Sequence, residues 1–311
     1  MQKLTTQQIN EVKAQGFLLN RGTDCFSGRI VAPGTVFSAE DFEVLSYISK
    51  TFGNGKLICT SRLAVEIPGI SYENIEKAKK YADEHNLRFG GTGNKIRPVA
   101  ACKGTTCVYG NCDTQEIAKK IHNNYYLGWN GITLPHKFKI TVGGCPNSCM
   151  KPSINDFGIE GHKVPVYNSG DCRGCKNCMV ENSCPMKAAK VDGGKLNIDK
   201  DLCLSCGVCT GKCPFKAVSH ESKTVYQIYV GGTWGKRTRK GTPLSRLVSE
   251  DEIFPILEKT MLWFKENAYL KERLGLAIDR IGADKFEEAI WTGDLLERKE
   301  EIIAKDFLQR G

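Results

Sequence analysis

The sequence reads Ala101-Cys102-Lys103-Gly104-Thr105-Thr106-Cys107 and, further along, Gly143-Gly144-Cys145-Pro146-Asn147-Ser148-Cys149. Each stretch places a pair of cysteines in a loop that contains glycine. Four thiolates from two such loops can hold one iron–sulfur cubane. The glycines before Cys145 also allow a bulky prosthetic group to approach the backbone, because glycine has no side chain. These loops predict a redox centre.

A denser set of cysteines lies between residues 171 and 218. It consists of two runs, Cys172-x2-Cys175-x2-Cys178-x5-Cys184-Pro185 and Cys203-x2-Cys206-x2-Cys209-x3-Cys213-Pro214. The second run has the spacing of bacterial two-cluster ferredoxins, in which the remote cysteine of each run completes the other cluster. We therefore assign one 4Fe-4S cluster to Cys172, Cys175, Cys178 and Cys213, and another to Cys203, Cys206, Cys209 and Cys184. Zinc bound by the same Cys-x2-Cys pairs is the alternative, but two triplets with two Cys-Pro ends suit zinc poorly.

The cysteine content also bears on the compartment. Fifteen cysteines in 311 residues are too many for a typical cytosolic fold. The first eight residues have no apolar core of an export signal, and no later stretch approaches the roughly 20 apolar residues of a membrane span. We therefore expect a cytoplasmic protein whose cysteines bind metal. Three cysteines fit no ligand pattern and are expected to be buried thiols: Cys25, Cys59 and Cys112.

The formal net charge of +9 does not predict a nucleic-acid partner. Lysine and arginine are spread along the chain apart from one short run, Lys236-Arg237-Thr238-Arg239-Lys240. Bound iron–sulfur clusters would also reduce the positive excess, because ligating thiols are deprotonated. The balance favours a small anionic substrate or cofactor.

Turn residues and hydrophobic periodicity divide the chain into elements. Ser38 to Asp41 resembles a capping box that opens a helix over 42–50, and Gly53 ends it. A strand is predicted over 57–67, followed by a helix over 73–84. With an extended segment at 29–31, these elements predict a small α+β unit.

Further strands and helices follow the glycine-rich break at Gly90-Gly91-Thr92-Gly93. A strand is predicted over 137–143, a strand pair or ribbon over 157–166, another strand over 225–230, and helices after Ser249. The glycine-rich break lacks the spacing of a dinucleotide-binding fingerprint, and no other stretch predicts a nicotinamide or flavin site. The expected domains are 1–88, then 89–165 together with 221–311, with residues 166–220 inserted between these two parts.

The paired cysteine motifs, with Gly110, Asp113 and Thr114 after the first, resemble those of sirohaem-dependent sulfite and nitrite reductases. The single repeat with an internal ferredoxin module is similar to the catalytic subunit of the three-subunit anaerobic sulfite reductases. The resemblance implies an α+β fold, with a ferredoxin-like half-domain, a sirohaem and 4Fe-4S domain, and an inserted ferredoxin domain for two 4Fe-4S clusters.

The resemblance also implies roles for individual residues. A third 4Fe-4S cluster would be held by Cys102, Cys107, Cys145 and Cys149, with Cys149 bridging to the sirohaem iron. The first motif has four residues between its cysteines where the family has five. Cys112 is therefore an alternative ligand, but Gly110 and Asp113 keep their family spacing from Cys107, which favours Cys107.

Four basic residues match the family positions that bind the oxyanion and supply protons: Arg62, Arg97, Lys137 and Lys139. If residues 137–139 are extended, the two lysines share one face and Phe138 lies on the other. His136 matches no family role. Lys236, Arg237 and Arg239 either bind the carboxylates of sirohaem or belong to a solvated turn.

These features predict the catalytic subunit of an anaerobic, dissimilatory-type sulfite reductase, which reduces sulfite to sulfide with six electrons. A sirohaem nitrite reductase and an iron–sulfur electron-transfer subunit without catalytic activity are the alternatives. The missing flavin and nicotinamide signatures imply partner subunits that oxidise NADH and supply electrons. The site is formed either within one chain or across a homodimer.

Overall fold

The computed structural model describes residues 4–309. The expected domains begin at residue 1 and end at residue 311, and these two bounds lie outside the described residues. The helices are α1 (Thr6–Ala14), α2 (Ala39–Phe52), α3 (Ile75–Glu84), α4 (Thr114–Ile121), α5 (Met179–Ser183), α6 (Glu250–Asn267), α7 (Leu274–Ile281), α8 (Ala283–Thr292) and α9 (Lys299–Ala304). The strands are β1 (Phe17–Leu19), β2 (Cys25–Val31), β3 (Ile58–Cys59), β4 (Val65–Ser71), β5 (Arg88–Phe89), β6 (Ala100–Ala101), β7 (Ile140–Gly143), β8 (Phe157–Lys163), β9 (Ala189–Asp192), β10 (Lys195–Ile198), β11 (Thr224–Val230) and β12 (Thr242–Pro243).

The first unit is an antiparallel sheet with helices packed against it. Its strand order is β1-β2-β4-β3, and β5 pairs with the end of β2. Helices α2 and α3 contribute Leu45, Ile48 and Ala78 to the core beneath the sheet. The predicted capping box is confirmed, because Ser38 and Asp41 each accept a hydrogen bond from the other's backbone N–H.

The strand predicted over 57–67 is wrong as one continuous element. The chain turns between β3 and β4, and Leu63 has a left-handed φ of 58°. Thr60 stabilises this turn, since its Oγ1 accepts from the N–H of Arg62 at 3.4 Å and from that of Ala64 at 3.1 Å. Arg62 therefore lies in a turn and not on a strand.

The second unit is a five-stranded mixed sheet in the order β12-β11-β8-β7-β6. Strands β6, β7 and β8 are parallel, whereas β11 pairs antiparallel with β8 and β12. Helices α4 and α6 to α9 enclose its core, in which Phe138, Ile159, Leu257 and Phe264 are buried. Parallel strands place their amino ends at one edge of the sheet and their carboxyl ends at the other, and this separation positions the candidate site.

The cysteine-dense segment leaves this sheet after β8 and returns at β11. It contains α5 and the antiparallel hairpin of β9 and β10. Its small core consists of Val180, Ala189, Leu196 and Val218, with cysteines packed around it. Among residues 4–309, no helix combines the length and the apolar character needed to span a lipid bilayer.

Candidate active site

Four thiols from the two glycine-containing loops line one cavity of about 420 Å³: Cys102, Cys107, Cys145 and Cys149. The loops follow β6 and β7, so both pairs lie at the carboxyl ends of adjacent parallel strands. Burial, together with the charges of the other three thiols, raises the pKa of Cys145. Cys149 is the most exposed of the four. This donor set fits a 4Fe-4S cluster.

The glycines of these loops allow the loops to pack against each other. A Cβ on Gly144 would lie 3.0 Å from the Cα of Gly104, and a Cβ on Gly110 would lie 2.0 Å from the carbonyl oxygen of Gly104. The N–H of Gly144 donates to Cys102 Sγ at 3.2 Å. Thr114 Oγ1 donates to the Cys102 carbonyl at 2.6 Å, so the residue that follows the first motif fixes a ligand loop.

The rim of the thiol cavity is apolar and exposed. Leu63 and Tyr109 line it, with 39% and 56% of their surfaces accessible, and the neighbouring Val108 is 91% accessible. Exposed apolar side chains beside a polar centre commonly mark a binding surface.

Three cysteines outside both cluster motifs do not line this cavity. Cys112 packs against the second unit's core, and burial raises the pKa of its thiol to about 12. Cys25 lies half-buried on β2. The expectation of a buried thiol is wrong for Cys59, which is exposed at the short edge strand β3.

The structure also groups the cysteines of the inserted segment. Cys184 lines one small space together with Cys203, Cys206 and Cys209. Cys172, Cys178 and Cys213 pack around the segment's core. Within residues 4–309, no three His, Cys, Asp or Glu side chains converge as for a single metal ion.

A cluster of basic side chains lies at the opposite ends of β6 and β7. It consists of Arg62, Arg97, Lys137 and Lys139 together with Arg273. The N–H of Arg97 donates to the Phe138 carbonyl at 2.8 Å, which joins the two basic segments side by side. At about 3.3 Å per residue, the backbone of the basic cluster lies roughly 15–20 Å from that of the thiol cavity.

The two arginines predicted from sequence have different environments. Arg62 donates from Nε and Nη2 to the Pro98 carbonyl, from Nη2 to the Ile140 carbonyl and from Nη1 to Asn155 Oδ1, which leaves one N–H. Arg97 donates from Nη1 to the Gly91 carbonyl, and its Nε is buried with no acceptor among residues 4–309. Burial lowers the pKa of each arginine to about 10, and both remain charged at neutral pH.

The lysines flank the buried Phe138, as the extended backbone predicts. Burial and the charge of Arg273 lower the pKa of Lys137, whereas burial and Arg62 lower that of Lys139. Burial, followed by the charges of Arg273 and Lys137, lowers the pKa of His136 to about 4. His136 Nδ1 accepts the N–H of Lys137 at 2.7 Å, so the ring is neutral and orients the lysine backbone.

Sequence reasoning missed Arg273 and its partner Asp156. Arg273 Nη2 donates to both carboxylate oxygens of Asp156 at 2.8 Å, and Asp156 also accepts the N–H of Lys139 at 2.9 Å. Arg273 Nε is buried without an acceptor among the described residues. Only the structure identifies this arginine, because no motif surrounds it and it precedes α7, far along the chain from the lysines.

The basic run after β11 forms a hairpin loop closed by Thr233 and Arg239, whose backbones exchange two hydrogen bonds. Lys236 and Arg237 are exposed at its tip. Arg239 donates to the Asp279 carboxylate, to Thr242 Oγ1 and to three backbone carbonyls, so each of its nitrogens is engaged by the protein. A cofactor carboxylate would have to displace one of these acceptors.

Comparison with known proteins assigns this chain to a family. Residues 92–299 match the nitrite and sulphite reductase 4Fe-4S domain, and residues 19–85 match the nitrite/sulfite reductase ferredoxin-like half domain. The chain belongs to the nitrite and sulphite reductase family. Residues 92–299 contain both cysteine loops, the inserted segment and four of the five basic residues, whereas Arg62 lies in the half domain.

Relatives and solved structures agree with this assignment. The chain is 32% identical over 263 residues to the coenzyme F420-dependent sulfite reductase of Methanocaldococcus jannaschii. The matched region covers 83% of this chain but only 41% of that protein. It is 28% identical over 298 residues to an anaerobic sulfite reductase subunit of Salmonella typhimurium, covering 88% and 85% of the two chains. A crystal structure of dissimilatory sulfite reductase I superposes with a TM-score of 0.69 at 22% identity, covering 86% of this chain and 69% of that one, and supports the fold alone.

Proposed function

We propose that this chain is the catalytic subunit of an anaerobic sulfite reductase, which reduces sulfite to sulfide with six electrons. The observation that carries the proposal is that Cys102, Cys107, Cys145 and Cys149 line one cavity, with a basic cluster at the other ends of the same strands. When bound, sirohaem coupled to a 4Fe-4S cluster supplies the redox chemistry. Cys149 would bridge the two groups, because it is the most exposed of the four thiols.

The basic cluster would bind the oxyanion. Arg97 and Arg273 each keep a buried Nε without an acceptor among residues 4–309, and buried donors are normally satisfied. A sulfite oxygen is negatively charged and could accept hydrogen bonds from these Nε–H groups. Arg62 adds positive charge and one further N–H.

Lys137 and Lys139 would deliver protons as the oxygens of sulfite leave as water. Their pKa values are lowered by burial and by neighbouring cations, which makes each ammonium a better acid near neutral pH. No hydrogen-bond acceptor within residues 4–309 holds either Nζ atom, so both can turn toward a bound anion.

The inserted segment would supply electrons through two further 4Fe-4S clusters, at Cys172, Cys175, Cys178 and Cys213 and at Cys203, Cys206, Cys209 and Cys184. Such clusters transfer electrons but perform no substrate chemistry. Partner subunits that oxidise NADH would reduce the segment, since the sequence offers no flavin or nicotinamide site.

The test is an anaerobic assay of the purified chain with an artificial reductant. Sulfite and nitrite are compared as substrates, and the sirohaem absorption is read in the same cuvette. We expect the absorption of sirohaem, and a higher kcat/KM for sulfite than for nitrite. Faster turnover of nitrite at low concentration would identify a nitrite reductase, and a preparation that folds without sirohaem would identify an electron-transfer subunit.

A further inference from the structure

The inserted segment contacts the second sheet through its second cysteine triplet. The N–H of Lys163, at the end of β8, donates to the Ser205 carbonyl at 2.7 Å. The preceding residue, His162, places Nδ1 3.0 Å from the Leu204 carbonyl. Both acceptors lie between the first two cysteines of the run Cys203-x2-Cys206-x2-Cys209. This triplet is therefore fixed to the main sheet.

Asn111 extends this contact to the thiol cavity. Its Nδ2 donates to the carbonyl oxygens of Cys206 and Gly161, each at 3.3 Å. Its backbone N–H donates to the Gly144 carbonyl at 2.8 Å, and its own carbonyl accepts from Thr224 Oγ1 at 2.8 Å. Asn111 is thus hydrogen-bonded to both cysteine-containing regions.

Gly144 immediately precedes Cys145. Two hydrogen bonds and the single residue Asn111 therefore connect the peptide of Cys206 to the peptide before Cys145. Gly207 makes room for this connection, because a Cβ there would lie 2.7 Å from Asn111 Oδ1. Its φ of +79° is also one that glycine adopts without strain.

The first triplet has no comparable connection within the described residues. The Cys172 carbonyl accepts from Lys195 Nζ at 2.7 Å, and Cys172 Sγ accepts from the N–H of Leu196 at 3.3 Å. The Cys178 carbonyl accepts from the N–H of Asn182. All these partners belong to the inserted segment itself, so the first triplet is the outer one.

We propose that Asn111 is a positioning residue that couples the inner site of the inserted segment to the thiol cavity. The inner site consists of Cys203, Cys206, Cys209 and Cys184, and the outer site of Cys172, Cys175, Cys178 and Cys213. This inference rests on the proposed function, because it requires clusters at these sites. One electron at a time leaves a reduced flavin or iron–sulfur donor, enters at the outer site, passes to the inner site and reduces the cluster at Cys102, Cys107, Cys145 and Cys149.

The first test compares two variants of the full, cofactor-loaded chain. Asn111→Leu keeps the branched outline of the side chain and removes both Nδ2 hydrogen bonds. Asn182→Leu is the matched control, because Asn182 is an exposed amide whose hydrogen bond to Asn177 stays within the segment. Cluster and sirohaem content are measured first. A photoreduced flavin then delivers electrons in a flash, and rapid-freeze EPR follows the reduction of each cluster.

We expect Asn111→Leu to load its cofactors but to lose the fast phase in which the thiol-cavity cluster is reduced. The control keeps that phase. A fully loaded Asn111→Leu protein that retains the fast phase would overturn the coupling role while leaving the proposed function intact. Wild-type protein that lacks sirohaem or has fewer than three clusters would instead contradict the proposed function.

A second measurement does not depend on the folding of Asn111→Leu. Spin–spin broadening of the EPR signal of the thiol-cavity cluster is compared in Cys175→Ser and Cys206→Ser, which remove the outer and the inner cluster respectively. We expect the broadening to persist in Cys175→Ser and to disappear in Cys206→Ser, because the inner site is the adjacent one. The reverse pattern would overturn the order of the two sites.

Discussion

Arg273 Nη2 donates to both carboxylate oxygens of Asp156 at 2.8 Å, and Asp156 is completely buried. The same carboxylate accepts the backbone N–H of Lys139, and the Asp156 carbonyl accepts the N–H of Gly231. Asp156 therefore connects the loop before α7 to the segment before β7 that contains the lysines. Burial raises the pKa of Asp156, and the charge of Arg273 opposes that rise.

The first prediction concerns the stability of this pair. Arg273→Met leaves a buried carboxylate without its counter-charge, which should reduce the free energy of unfolding by about 3–5 kcal/mol. The loss should shrink as the pH falls. Without Arg273 the pKa of Asp156 in the folded protein rises further above its value in the unfolded chain. At low pH the carboxyl group is protonated and its burial costs little. This stability is lost as the pH increases through the pKa of the folded protein. Anaerobic thermal unfolding across a pH series measures both effects.

The matched control is Arg246→Met, which removes an arginine whose ion pair with Glu252 is largely exposed. This change should cost about 1 kcal/mol or less. Equal losses in Arg273→Met and Arg246→Met, or a loss in Arg273→Met that grows as the pH falls, would contradict the account of a buried pair.

The second prediction concerns the pH dependence of sulfite reduction. Burial and neighbouring cations lower the pKa of Lys137 and Lys139, and both are proton donors only when protonated. The value of kcat/KM for sulfite should therefore fall as the pH rises through these lowered pKa values, at a lower pH than for an exposed lysine. Lys139→Arg should reduce kcat by about 100-fold or more, because arginine keeps the charge but does not release a proton.

The measurement is a pH profile of kcat/KM for wild type and Lys139→Arg over the same range. The titration of sulfite itself affects both proteins equally and cancels in their ratio. We expect the alkaline decrease to be weaker in Lys139→Arg, whereas sirohaem absorption is unchanged. A variant with the wild-type kcat would assign Lys139 to anion binding alone.

The sequence was sufficient for features that depend on local spacing. The cysteine runs, the capping box at Ser38 and the burial of Phe138 between two half-buried lysines all follow from residues close together in the chain. The matched families confirm the half-domain and the 4Fe-4S domain. The ligand and catalytic roles of individual residues remain predictions.

Features that depend on tertiary packing could not be read from spacing. Arg273 reaches the lysines because α6 carries the chain back across the sheet, and no pattern around it indicates this. Asn111 stands between Gly110 and Asp113, which the resemblance identified, but its contact with Cys206 exists only after the inserted segment packs against β8. The strand predicted through Arg62 was wrong because the Thr60 hydroxyl stabilises a turn.

The third prediction distinguishes the two candidate ligands of the shortened first motif. Cys107 lines the thiol cavity, whereas Cys112 lies against Gly161, where a Cβ would come within 2.8 Å of its sulfur. Burial raises the pKa of Cys112 to about 12, and a ligand must be a thiolate. Cys107→Ser should therefore lower the iron content by about four atoms per chain and abolish the coupled sirohaem signal.

Cys112→Ala is the comparison for Cys107→Ser, because it removes the other thiol of the same loop. It should keep the full iron content, the sirohaem absorption and wild-type reduction of sulfite, with a loss of about 1 kcal/mol in stability from the small cavity it creates. Iron and acid-labile sulfide analysis of the two purified variants makes the comparison. If Cys112→Ala loses the cluster and Cys107→Ser retains it, the shortened spacing has moved the fourth ligand to Cys112, and the loop from Gly104 to Gly110 must rearrange when the cluster binds.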